Sequence, residues 1–167
     1  MELQRHVCRS LHDDHVATLA LLARLEALLG RHARNSAPAS DDPAVARLLK
    51  DLITAVETEI GVHFAFEEEA TFPLLAASGG GEMVELLVSE HGLILPLARR
   101  LVALAKRARD AGFTAETWSE FHAAGAELIA RLVSHVEKEE MGFLPALDEA
   151  LDESTDGTLA LELAARR

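Results

Sequence analysis

Tyrosine is missing from this chain and tryptophan occurs once, so aromatic residues make up only 4% of its 167 residues. Without tyrosine, no phenolate can ligate a metal. Cysteine also occurs once, at Cys8, which excludes an internal disulfide and fits a cytoplasmic setting. No uninterrupted apolar run reaches the roughly 18 residues of a membrane span. The N-terminus, MELQRHVCRS, has no apolar signal-peptide core. Cations are scarce: 16 Lys and Arg stand against 28 Asp and Glu, a formal charge of -12. That balance argues against nucleic acid and anionic membranes as partners, and bound cations could offset part of it. What remains is 49% apolar and rich in Ala and Leu, a composition that suits helices packed on helices. The length is that of one domain, residues 1–167.

The punctuation divides the chain into four long helices and a tail. Ser10-x-x-Asp13 reads as a first helix start, with Val16, Leu19, Leu22, Leu25 and Leu29 at helical spacing as far as Arg34-Asn35. The stretch NSAPASDD (35–42) is a loop. Asp42 can cap a second helix and Pro43 can begin it; it should reach about Phe72, where Pro73 disturbs it. Gly79-Gly80-Gly81 is a break. A third helix is expected from about Glu82 to Arg109, with Pro96 as an internal kink. After Asp110-Ala111-Gly112, Thr114 can cap a fourth that reaches about Leu144, before Pro145. A short helix over 159–166 is expected in the tail, 152–167. Short loops between long helices predict an all-α, antiparallel up-down-up-down four-helix bundle over about 10–150.

One pattern occurs twice within that frame. His63-x-x-x-Glu67-Glu68 is followed by Pro73, and 72 residues later His135-x-x-x-Glu139-Glu140 is followed by Pro145. An acid-His pair precedes each, Asp14-His15 and Glu90-His91. Positions i and i+4 share a helix face, so His63 projects with Glu67 and His135 with Glu139. His63 and His135 each lie nine residues before an expected helix end, and His91 nine residues into its helix. At about 1.5 Å per residue all three sit about 14 Å from one end of the bundle, the end at which the helix of His15 starts. Four imidazoles and two carboxylates can together hold a pair of iron atoms. A single histidine in an apolar stripe is ordinarily a core residue. Four of them with two glutamates, buried without metal, would leave several polar groups seeking partners.

The other chemistry-bearing residues fall outside this set. His32 and His122 belong to the far end, and His6 precedes the first helix. His12, one turn before His15, is the remaining imidazole able to approach the site. Asp14 and Glu90 can accept hydrogen bonds from ligand histidines, more readily from a neighbouring helix than from the adjacent residue. Glu68 and Glu140 read as solvated or supporting carboxylates. Trp118, Phe113 and Phe121 read as core at the opposite end. Phe64, Phe72 and Phe143 read as core that can also wall the site.

At His15, His63-x-x-x-Glu67, His91 and His135-x-x-x-Glu139 the chain resembles the hemerythrin-like family, the HHE cation-binding domain, over about residues 10–150. The resemblance implies a four-helix bundle holding two non-haem iron ions, oxo- or hydroxo-bridged, with His15, His63, Glu67, His91, His135 and Glu139 as ligands. It implies binding of, or reaction with, dioxygen, nitric oxide or peroxide. The alternatives are a peroxide-consuming or other oxidative enzyme, and an iron- or oxygen-responsive interaction module. The chain departs from oxygen-carrying hemerythrins in two places. Leu95 stands where they have a further histidine, and Glu139 follows His135 by four residues where they place an aspartate at five. With both glutamates bridging, protein atoms fill about eight of about twelve octahedral positions.

Overall fold

The computed structural model describes residues 3–39 and 41–167. Every element is helical, and no strand occurs among the described residues. Helix α1 is His6–Arg31. Helix α2 spans 43–75 as a continuous rod, in which Pro43–Thr54, Gly61–Phe66 and Phe72–Leu75 are joined by two stretches of wider, π-type turn, Ala55–Ile60 and Glu67–Thr71. Helix α3 is Gly81–Ala111. Helix α4 spans 115–150, with a π-type turn at Glu139–Phe143 between Ala115–Lys138 and Leu144–Ala150. Helix α5, Glu153–Arg166, closes the chain. Helices α1 to α4 each pack on two neighbours in a closed ring, and α5 lies on α1. Ser40, within the loop expected at 35–42, lies outside the described residues.

The capping residues act largely where the sequence places them. Asp42 accepts from Ala44 N (2.9 Å) and Val45 N (3.2 Å), with Pro43 at the first helical position. Thr114 and Thr117 exchange hydrogen bonds to open α4. Gly79, at φ 104°, turns the chain from α2 towards α3, and only glycine adopts that φ freely. Helix α3 passes through Pro96 unbroken. Pro96 is exposed, so the carbonyl it leaves unpaired can meet water.

Several helix ends differ from expectation. Helix α1 begins at His6, not Ser10, because its first N–H groups are satisfied from far along the chain. Asp156 accepts from His6 N and Val7 N, both at 2.9 Å, and Asp148 accepts from Arg5 N at 2.7 Å. The same helix ends at Arg31, short of Arg34, and Val16 is exposed. Helix α5 is longer than expected because Asp152 caps it through Thr155 N at 2.7 Å; its Leu159 and Leu163 are buried.

Neither Pro73 nor Pro145 ends its helix. The residue before each proline bonds one position further back than in an α-helix: Phe72 N to Glu67 O, and Leu144 N to Glu139 O. The widened turn relieves the clash between a proline ring and the carbonyl one turn back. Both widened turns begin at a glutamate of the doubled pattern, so the repeat extends to the backbone.

Two apolar clusters divide the interior. The larger contains Leu25, Leu49, Leu101, Trp118, Phe121 and Leu128; Trp118 Nε1 donates to Ala33 O at 2.9 Å. The smaller contains Val7, Leu11, Phe66, Phe72, Phe143 and Leu163. A belt of buried polar side chains, His15, His63, Glu67, Thr71, His91, His135 and Glu139, accompanies them. Cys8 is buried in the smaller cluster. Burial, with Asp148 and Asp156 nearby, pushes its thiol up to about 12, so it stays protonated and unreactive.

Candidate metal centre

Each of α1 to α4 delivers one histidine to a common layer, and α2 and α4 each add a glutamate one turn later. The Nε2 atoms meet in two pairs, His15 with His63 at 3.2 Å and His91 with His135 at 3.0 Å. Glu139 reaches both pairs: Oε2 lies 3.0 Å from His15 Nε2, and Oε1 lies 3.1 Å from His135 Nε2. Glu67 does the same, with Oε1 3.1 Å from His63 Nε2 and Oε2 3.6 Å from His91 Nε2. Both glutamates are 0% exposed. All six residues expected from the sequence therefore converge.

The outer nitrogen of every imidazole is held by a second carboxylate. His15 Nδ1 meets Glu140 at 2.6 Å and His91 Nδ1 meets Glu68 at 2.8 Å. His63 Nδ1 meets Asp14 at 3.1 Å and His135 Nδ1 meets Glu90 at 3.0 Å. The pattern is reciprocal. The acid before one histidine serves the histidine of the next helix, and the glutamate after each bridging position serves the other pair. A carboxylate on Nδ1 fixes the tautomer with the proton outside and turns the Nε2 lone pair inward. The sequence offered these four acids without saying which histidine each would serve, because that depends on packing between helices.

The carboxylates have partners further out. Asp14 also accepts from Arg167, Glu90 from Lys138 at 2.8 Å, and Glu140 from His12 at 2.9 Å. His12, with its side chain 45% exposed, thus supports the site through Glu140 and does not join the inner set. His6 pairs with Arg9, His32 packs against Trp118, and His122 meets Leu29 O. Leu95 packs on the larger apolar cluster and lines a surface groove with Val56, Gly61 and Val102.

These surroundings shift proton affinities. Burial opposes charge on His15, but the carboxylates of Glu139 and Glu140 outweigh it and raise the imidazole to about 9. Burial likewise opposes charge on His63, while Glu67 and Asp14 raise it to about 10. Glu139 is pushed up by burial, but His135, His15 and His91 hold it well below the usual carboxylate range.

The donor set fits metal ions. None of the four oxygens of Glu67 and Glu139 has a hydrogen bond, although all are buried. Their short approaches to Nε2 atoms are off-axis, as expected of lone pairs aimed at a common point between them. Four buried carboxylate oxygens without partners are strongly unfavourable unless a cation is bound. Two overlapping groups could each hold an ion, His15, His63, Glu67 and Glu139, and His91, His135 and Glu139.

The model of the hemerythrin HHE cation binding domain family matches residues 6–147. The chain belongs to that family. No curated protein gives a match. Membership in the hemerythrin HHE family agrees with the buried His/Glu metal site and the all-helical fold. No helix of the described residues is long and apolar enough to cross a membrane.

The surroundings of the hemerythrin-like centre are uneven. Phe64 stacks on His91 at 3.7 Å between ring centroids, tilted by 7°, and Phe72 lies 5.5 Å from the same ring. The His15 and His63 pair, together with His135, borders a cavity of about 380 Å³, whose walls also include Ile60, Phe64, Leu132, Val136 and Leu163. No spacing in the sequence marks this cavity.

Proposed function

We propose that the chain is a single-domain, cytoplasmic, non-haem di-iron protein that binds or reacts with dioxygen, nitric oxide or peroxide. Its helices α1 to α4 run alternately up and down. The metal ligands are His15, His63, Glu67, His91, His135 and Glu139, with Glu67 and Glu139 shared between the two ions. The observation that carries this reading is the placement of each glutamate against both histidine pairs with all four oxygens unpartnered. Four imidazoles with two shared carboxylates suit two divalent or trivalent ions of borderline softness, iron foremost.

Iron bound there supplies redox change and exchangeable positions for a small ligand. The protein supplies the rest. The carboxylates on Nδ1 orient the imidazoles, Phe64 and Phe72 exclude water from the His91 side, and the cavity admits ligands from the His15 side. With Leu95 in the groove, no fifth imidazole is at hand, and at least two positions remain for exogenous ligands.

Metal analysis of protein isolated without chelators should give about two irons per chain, and azide should perturb the optical spectrum of the oxidised form. The reduced protein should oxidise rapidly in air. A stable, reversible oxygenated band would instead favour a carrier. Absence of iron from these residues in a fully loaded protein would overturn the reading.

A further inference from the structure

We propose that the cavity beside His15 and His63 is the binding site for a neutral organic molecule with an apolar body and one oxygen-bearing head, of the organic hydroperoxide class, and that α5 helps to select it. The inference rests on the proposed function and names the ligand class of that same site.

Size comes first. The cavity holds about 380 Å³, whereas a water molecule, comparable to a diatomic ligand, takes roughly 30 Å³ of liquid volume. Sites for small organic molecules run from roughly 300 to 1,000 Å³. Metal ions and their bound oxygens would take a few water volumes of that space, roughly 30 Å³ each, and the rest exceeds what a diatomic ligand fills.

Chemistry comes second. His15, His63, His135 and Glu139 bring the donors of the metal layer to the cavity, and Ile60, Leu132, Val136 and Leu163 supply apolar wall. A molecule lying along it places an oxygen head at the metal layer and its hydrocarbon body against the wall. Charge selects further. Asp14 and Glu139 line the cavity, and its one unambiguous cation, Arg167, is already bound to Asp14 and to Ser10 O. A ligand carrying an anionic group on its body, away from the metal layer, would lose hydration there and gain no free cation. A neutral hydroperoxide meets neither difficulty.

The third observation is where the wall comes from. Leu163 belongs to α5 and Arg167 follows it directly, while the family match ends at residue 147. Helix α5 is held in place by Asp156 on the start of α1 and by Arg166, which pairs with Glu69 and lies over Phe66 at 5.4 Å. Leu163 and Arg167 therefore lie outside the stretch that the family model matches, while Ile60, Leu132 and Val136 lie within it.

The test uses 2-phenyl-2-propanol, a redox-inert alcohol with the body of an aryl-alkyl hydroperoxide, and calorimetric titration of the metal-loaded protein. Wild-type protein should bind it saturably at one site, and 4-(2-hydroxypropan-2-yl)benzoate, which keeps the alcohol head but carries a carboxylate on its body, should bind at least about tenfold more weakly. Thr18→Trp, at the half-buried rim, should weaken alcohol binding by at least about tenfold while metal content and melting temperature hold. Leu163→Ala should retain the alcohol and admit a bulkier homologue that the wild type rejects. No saturable binding to the loaded wild type, the body-carboxylated alcohol bound as tightly as the parent, or wild-type affinity in a folded Thr18→Trp would each overturn the proposal. Iron is measured in the same samples. A protein that binds the alcohol but holds no iron contradicts the di-iron reading alone; an iron-loaded protein that ignores the alcohol contradicts this proposal alone.

Discussion

The two halves of the His/Glu layer have nearly the same donors and very different surroundings. In each, two Nε2 atoms lie 3.0 or 3.2 Å apart, both glutamates face the pair, and each Nδ1 rests on a carboxylate. Yet the His91 ring is stacked on Phe64 with Phe72 5.5 Å away, while the His15 and His63 pair, with His135, borders a cavity. The difference traces to a departure from the repeat. The residue after His63 is Phe64; the residue after His135 is Val136. Phe64 covers His91 and also borders the cavity that Val136 lines. A doubled motif specifies matching donors, and the positions where its copies differ set which imidazole is covered.

The largest expected effect comes from removing what the halves share. Glu139→Ala or Glu67→Ala should lower bound metal from about two ions to one or fewer, because each carboxylate touches both pairs. Glu68→Ala and Glu140→Ala should fall short of that loss. Metal analysis on the four variants separates bridging from supporting acids, and equal losses at all four would remove the distinction.

Next in size is the exchange of the two covers. Phe64→Ala should lower stability by about 3–5 kcal/mol, as expected for a buried phenylalanine, and thermal or denaturant unfolding reads this directly. Val136→Phe should be far milder, because the cavity beside it can take the ring. Faster azide binding in Phe64→Ala and slower binding in Val136→Phe would confirm that entry is one-sided. Unchanged rates in both would show that ligands arrive by another route.

Smaller effects belong to the outer carboxylates. Asp14→Asn, Glu90→Gln, Glu68→Gln and Glu140→Gln should each weaken metal binding by about 10–100-fold, the usual range for a group that orients a ligand histidine. His12→Ala, which acts only through Glu140, should change stability by no more than about 0.5 kcal/mol. Competition against a chelator measures the first set and unfolding the last. If His12→Ala removed metal as effectively as His15→Ala, His12 would have to be counted among the ligands.

Much of this was legible in the sequence because it depends on local periodicity. The i+4 spacing puts His63 beside Glu67 and His135 beside Glu139, and distances to the helix ends bring four histidines to one depth. Asp42, Thr114 and Gly79 mark their turns through side-chain or backbone chemistry that needs no distant partner. What was illegible depends on contacts between helices. Pro73 and Pro145 signalled helix ends, but widened turns at Glu67 and Glu139 absorb them. The start of α1 rests on Asp148 and Asp156, more than a hundred residues away in the chain. The crossing of Glu68 to His91 and Glu140 to His15, and the roles of Leu163 and Val136 in the cavity, follow from packing that no spacing encodes.

The proposed centre holds two ions side by side, one on each histidine pair, with Glu67 and Glu139 between them. Anomalous diffraction from crystals of the iron-loaded protein, recorded at the iron absorption edge, tests it most directly. The account predicts two peaks about 3.5–4 Å apart, one against His15 and His63 and the other against His91 and His135. A single peak shared by all four histidines, or iron bound away from them, would contradict it.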